Sequence, residues 1–146
     1  MITLAILQKM AADGVAGLEQ DKNFFWEELP LQKNGEPAQG VWIVTRGGAL
    51  NNTPKGLNQR SIADFYVAMA DKTKTEATLR DILDWIRKNL SICEASGTVG
   101  GSRYAYQNIR IRPTASPANY GATTNGMIVK MASAEIYYDQ INQQEA

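Results

Sequence analysis

The chain of 146 residues has no histidine and a single cysteine, so the side chains that most often do chemistry at neutral pH are missing or alone. Serine–histidine and cysteine–histidine catalysis are excluded, and one thiol can neither close an intramolecular disulfide nor build a cysteine-rich zinc site. Cys93 follows Leu90 and Ile92 and reads as a small buried hydrophobe at the end of a helix. The remaining candidates are carboxylates. Asp64 sits in an alternating pattern and reads as a charge on the less buried face of a strand, paired with a neighbouring base. Asp81 and Asp84 lie three residues apart and imitate a metal pair, but Arg80, Arg87 and Lys88 accompany them, as on a solvated helix face. The glycine-rich stretch Ser96-Gly97-Thr98-Val99-Gly100-Gly101-Ser102 lacks both the Gly-Lys-Ser/Thr ending of a P-loop and GxGxxG spacing, and reads as a hairpin tip. No enzyme activity, metal or cofactor is expected.

Recognition is the chemistry that remains. Fifteen basic residues balance fifteen acidic ones, yet residues 95–134 hold Arg103, Arg110, Arg112 and Lys130 and no Asp or Glu. Within them, Tyr104, Tyr106, Asn108, Arg110 and Arg112 fall on one side of an alternating strand, with Ala105, Gln107, Ile109 and Ile111 on the other. Tyrosine and arginine in alternation suit stacking on bases and neutralising phosphates. They suit a protein interface equally well, because both residue types are enriched there.

Seven elements must position these residues. Leu4, Leu7, Met10 or Ala11, Val15 and Leu18 recur at helical spacing, which predicts an amphipathic helix with Thr3 as N-cap, ending near Asp13-Gly14. Asn23 to Leu29 is a short aromatic strand. The turn signal Lys33-Asn34-Gly35-Glu36 then predicts a hairpin into Val41-Trp42-Ile43-Val44, buried on both faces. Arg60 to Ala70 alternates as a strand, with Ala63, Phe65, Val67 and Met69 on its apolar face. Thr73-Lys74-Thr75-Glu76 fits a capping box, followed by Leu79, Ile82, Leu83, Ile86 and Leu90 on one helical stripe, with Trp85 in the core beside it. Two strands, Tyr104 to Arg112 and one running from Gly126 to Tyr138, complete the series. Residues 1–146 thus read as a single α+β domain: a mostly antiparallel sheet of about five strands with two helices packed on it. Loops at about 46–58 and 113–125 are expected to be flexible, and a tail at about 140–146 to fray.

Gly40-Val41-Trp42-Ile43-Val44-Thr45-Arg46-Gly47-Gly48, then Gln59-Arg60-Ser61-Ile62-Ala63-Asp64-Phe65-Tyr66-Val67, then Leu83-Asp84-Trp85-Ile86 together resemble small tail proteins of long-tailed bacteriophages. Within that group the chain is most similar to the tail terminators, also labelled minor tail or minor capsid proteins. The resemblance implies an α+β subunit that forms a ring, typically a hexamer. Such a ring caps the tail tube, stops its polymerisation, and gives the head connector its joining surface. The implied partners are further copies of the chain, the tail tube protein and the connector or neck protein. The implied place is the head-proximal end of the tail in the virion, after synthesis in the host cytoplasm. No secretion signal or membrane segment is expected. Arg46 with the adjoining loop to Lys55, and Arg103, Tyr104, Tyr106, Arg110 and Arg112, are the candidates for contacts between subunits or with tube and connector. A neck or head-completion protein, or a small nucleic-acid-binding module, is the alternative.

Overall fold

The computed structural model describes residues 2–46, 57, 59–114 and 118–141. Lys55, most of the segment between Arg46 and Gln59, residues 115–117 and the tail from 142 lie outside the described residues. The elements are α1 (Ile2–Ala12), a 3-10 turn (Val15–Gly17), β1 (Phe24–Trp26), β2 (Gly40–Arg46), β3 (Gln59–Ala68), α2 (Lys72–Lys88), β4 (Ser91–Val99), β5 (Ser102–Pro113), β6 (Ala118–Ala122) and β7 (Ile128–Gln140).

The first helix is apolar nearly all round rather than along one stripe. Ile2, Thr3, Leu4, Ala5, Ile6, Leu7 and Met10 are all buried, and a helix of that kind is stable only when structure surrounds it. The sheet supplies those surroundings by curling into a half-barrel, with strand order β1-β2-β3-β7-β5-β4 and β6 paired to β7 alone. Its inner face carries Val41 and Ile43 of β2, Ala63, Phe65 and Val67 of β3, Ala132, Ala134 and Ile136 of β7, and Ile109 and Ile111 of β5. These form one core with both helices. The inner face of β4 bears Gly97 at the point of closest approach: a Cβ there would lie 3.0 Å from the backbone nitrogen of Ala5 and 3.2 Å from Cγ of Leu4. At the same edge the Gln8 amide both donates to and accepts from the Thr98 backbone, at 3.0 Å each way, and so covers part of an open strand edge.

The expected mostly antiparallel sheet of about five strands is corrected: the sheet is mixed and has seven strands, and strand accounts for 49% of the described residues against 25% helix. The parallel pair arises where a hairpin was expected. The turn at 33–36 exists, but it closes only the single bridge between Leu31 and Pro37, and the chain then runs back so that Phe24, Phe25 and Trp26 lie parallel to Val41, Trp42 and Ile43. Two strands are added, and the first, β4, begins where a helix end was expected. Asn89 caps the Trp85 carbonyl at 2.8 Å and stops α2, so Leu90 is exposed and Cys93 sits exposed on β4 rather than buried at a helix end. The second, β6, occupies part of the segment expected to be a loop at 113–125. It continues the pairing of β5 along β7, whose partners pass from Pro113↔Ala134 to Ala118↔Met131.

Two caps also differ. Thr3 lies inside α1, sharing a hydrogen bond with the Thr45 hydroxyl at 2.7 Å and accepting one from Trp26 Nε1 at 2.9 Å. The N-cap of α2 is Asp71, whose carboxylate accepts from the Lys74 amide at 2.8 Å. The stripe Leu79, Ile82, Leu83 and Ile86 is buried as expected, and Trp85 joins it while its indole N–H donates to Asp13 at 2.9 Å, tying α2 to the end of α1. Replacing Gly97 with Val is expected to push α1 off β4 and to lower stability by about 1–3 kcal/mol in urea denaturation.

Candidate functional site

Both helices cover the inner face of the sheet, and among the described residues no helix lies on the outer face of β2, β3, β7 and β5. Register decides what stands there. Across β2, β3 and β7, Trp42 faces Tyr66 and Tyr66 faces Met131, Val44 faces Asp64 and Asp64 faces Ser133, and Arg60 faces Tyr137. Trp42 and Tyr66 stack with centroids 5.1 Å apart and planes 16° from parallel, and Tyr120 of β6 meets Tyr66 edge-on at 4.9 Å. Partial burial, with Asp64 close by, pushes the Tyr66 hydroxyl above its ordinary pKa. Val44 and Trp42 are half-buried, so β2 is fully buried on its inner face only, not on both.

Next to the aromatic group lie two arginine–carboxylate pairs, each a diagonal cross-strand contact. Arg46 holds Asp64 through Nε at 3.1 Å and Nη2 at 3.2 Å, while the Ser133 hydroxyl donates to the same carboxylate. Asp64 therefore is the paired charge that its alternating pattern predicts, though it is buried. Arg60 holds Glu135 through Nη2 at 3.2 Å and Nε at 3.3 Å, and the Tyr137 hydroxyl donates to Glu135 as well. The Arg60 hydrogen bond first, and the Tyr137 hydrogen bond second, hold the Glu135 carboxyl below the usual carboxylate range.

The strand with the candidate tyrosines and arginines is split by a bulge. Between Gln107 and Arg110 the register against β7 shifts, with Asn108 in the left-handed region at φ 52° and its amide donating to Asp139 at 2.8 Å. One extra residue reverses the alternation. Tyr104 and Tyr106 consequently pack with the core, where Tyr106 meets Tyr138 edge-on at 5.3 Å and burial drives its hydroxyl pKa far upward. Arg103, Arg110 and Arg112 remain exposed on the outer face. The expected single face of alternating tyrosine and arginine is thus corrected: the arginines stand together and the tyrosines do not join them. Of the candidates, Arg46 is already engaged by Asp64, and Lys55 is outside the described residues. The outer face instead gains Trp42, Tyr66, Tyr120, Arg60 and Tyr137. The alternation Arg60, Asp64, Tyr66 marks part of that face in the sequence; nothing local marks the aromatic contribution of β6.

An open depression of about 410 Å³ beside α2 is lined by Leu79, Leu83 and Arg80 and by the Glu76–Lys130 and Asp84–Arg87 ion pairs. A second, of about 290 Å³, lies between Leu4, Asp21, Trp26, Glu28 and Val99. Among the described residues no three of the metal-ligating types gather, and no helix is long and apolar enough to cross a membrane. No protein-family model matches the chain, and no curated protein sequence matches it.

Two outcomes follow from the ionic rows. Asp64→Ala leaves the buried Ser133 hydroxyl without its acceptor and is expected to cost about 1–3 kcal/mol in denaturant titrations, with Asp64→Asn milder. For Glu135, whose carboxyl pKa is lowered by folding, the stabilising contribution is present above the ordinary carboxylate range and fades as pH falls through the lowered value. The stability gap between the native chain and Glu135→Gln should therefore be widest at neutral pH and close in acid.

Proposed function

We propose that the chain is a structural assembly protein of a bacteriophage tail: a tail terminator that forms a ring, caps the tail tube, stops its polymerisation and offers the head connector a joining surface. The observation that carries this reading is the outer sheet face, which no helix covers among the described residues and where a stacked aromatic group and an arginine row stand on rigid strands. Large aromatic rings and arginines are the residues that dominate protein interfaces, and strands hold them without the ordering cost of a loop. Ending a polymer needs complementary surfaces and no covalent step, which suits a chain lacking histidine and carrying one cysteine. A closed ring repeats one heterologous contact, so each subunit needs two unlike surfaces. The sequence resemblance to tail terminators supplies the remaining support, and a neck or head-completion role shares the same requirements.

The nucleic-acid-binding alternative drew on tyrosines alternating with arginines. With Tyr106 buried and Tyr104 packed on the core, that stacking platform is not available on the arginine face. Negative-stain electron microscopy of the concentrated protein tests the proposal. Closed six-fold rings are expected, and phage particles made without the protein should carry tubes of uncontrolled length. Tails of normal length in such particles would overturn the terminator role, and tight, salt-sensitive DNA binding by a monomer would favour the alternative.

A further inference from the structure

Six ion pairs take up twelve of the charged residues described, and the signs of those left outside them are unevenly distributed along the fold. Lys9 pairs with Asp13, Lys22 with Glu19, Arg46 with Asp64, Arg60 with Glu135, Arg87 with Asp84 and Lys130 with Glu76. Among the charges outside these pairs are two groups of opposite sign, one before β2 and one on β5. Asp21, just before β1, and Glu28 and Glu36, between β1 and β2, are exposed and form no ion pair among the described residues. On β5, one strand in from the β4 edge, Arg103 and Arg110 likewise form none, and Arg112 stands across from a Glu135 that Arg60 already holds.

Each group has an exposed apolar side chain near it, in the chain or across the ladder. Leu31 is 67% exposed, more than any other large hydrophobic residue described, and sits at the base of the 33–36 turn between Glu28 and Glu36. Tyr137 is 38% exposed, faces Arg110 across the β5–β7 ladder, and has its ring position set by its hydrogen bond to Glu135. An apolar centre with a charged rim is the usual anatomy of a contact surface, and here the two rims carry opposite sign.

We propose that the acidic Leu31 turn of one copy docks on the Arg110, Arg112 and Tyr137 face of a second copy, head to tail. This rests on the ring-forming reading and assigns its subunit contact. Because the two surfaces differ and stand towards opposite ends of β7, with Pro37 accepting from Asn125 ahead of its start and Tyr137 near its end, each copy keeps one of each free, and the contact can repeat until a ring closes. The exposed bases of α2, Lys72, Lys74, Arg80 and Lys88, are mostly lysines, which interfaces tend to exclude, and the helix is left to solvent.

Reciprocal charge reversal of the full chain tests this, with assembly followed by sedimentation velocity. Arg110→Glu with Arg112→Glu, and separately Glu28→Lys with Glu36→Lys, should each weaken self-association by roughly 100-fold, since like charges then face each other. An equimolar mixture of the two variants should restore assembly, in even-numbered rings only, because each reversed surface now finds its complement on the other variant. Leu31→Asp should weaken assembly while leaving the thermal midpoint unchanged, and Lys72→Glu with Lys88→Glu should assemble like the native chain. If the native chain assembles but the mixture does not recover, or the α2 variant is the one that fails, this contact is overturned and the ring reading stands. A native chain that stays monomeric at every concentration overturns both.

Discussion

Burial of α1 is the constraint on which the rest of the structure depends. Its residues from Ile2 to Leu7 are buried on every side, including Thr3, whose hydroxyl must then be satisfied by Thr45 and Trp26. A flat sheet can cover one side of such a helix only. The half-barrel covers more, and it does so by bringing β4 against the helix at Gly97, where the absent side chain permits backbone approach. With α2 packed over the end of α1 through Trp85, all helical cover is spent on the inner face. The outer face is what remains, and its character follows from an arrangement made for the core.

That outer face is organised before any partner arrives. Arg46 and Arg60 are each held by a carboxylate through two nitrogen atoms, and the carboxylates are in turn held by Ser133 and Tyr137. Bidentate pairs of this kind restrict long side chains that would otherwise lose entropy on binding. The Trp42 and Tyr66 rings are likewise fixed by stacking. A surface with its rotamers already set binds with less ordering cost than one whose arginines are loose.

How much of this was legible in the sequence depends on range. Features set by local periodicity were readable: the apolar stripe of α2, the alternating β3 with Phe65 and Val67 inward, and the need of Asp64 for a basic neighbour. Features set by pairing at a distance were not. Nothing near residues 33–36 tells whether the turn joins two antiparallel strands or a single bridge, because the choice is made by where Phe24 to Trp26 find their partners on β2. The burial of α1 on all sides was hidden for a related reason, since a stripe can be found in any sufficiently apolar helix. Leu90 was misplaced on the helical stripe because Asn89 ends α2 by a side-chain cap that the apolar spacing does not register.

The bulge at Asn108 bears most directly on function, since one residue decides which chemistry β5 presents. Without it, strict alternation would put Tyr104, Tyr106, Arg110 and Arg112 on one face, the pattern of a stacking platform for bases. With it, the aromatic rings go to the core and the guanidinium groups to the outside, next to Tyr137 of the neighbouring strand. Asparagine is among the few residues that enter the left-handed region readily, and its amide finds Asp139 on β7, so the bulge is both permitted and held in place. The core gains from the exchange, because Tyr106 packs against Tyr138 while strict alternation from Ile109 would turn Gln107 inward. The arginine face is therefore a product of core packing, and its partner must be one that reads exposed guanidinium groups and a half-exposed ring on a rigid strand.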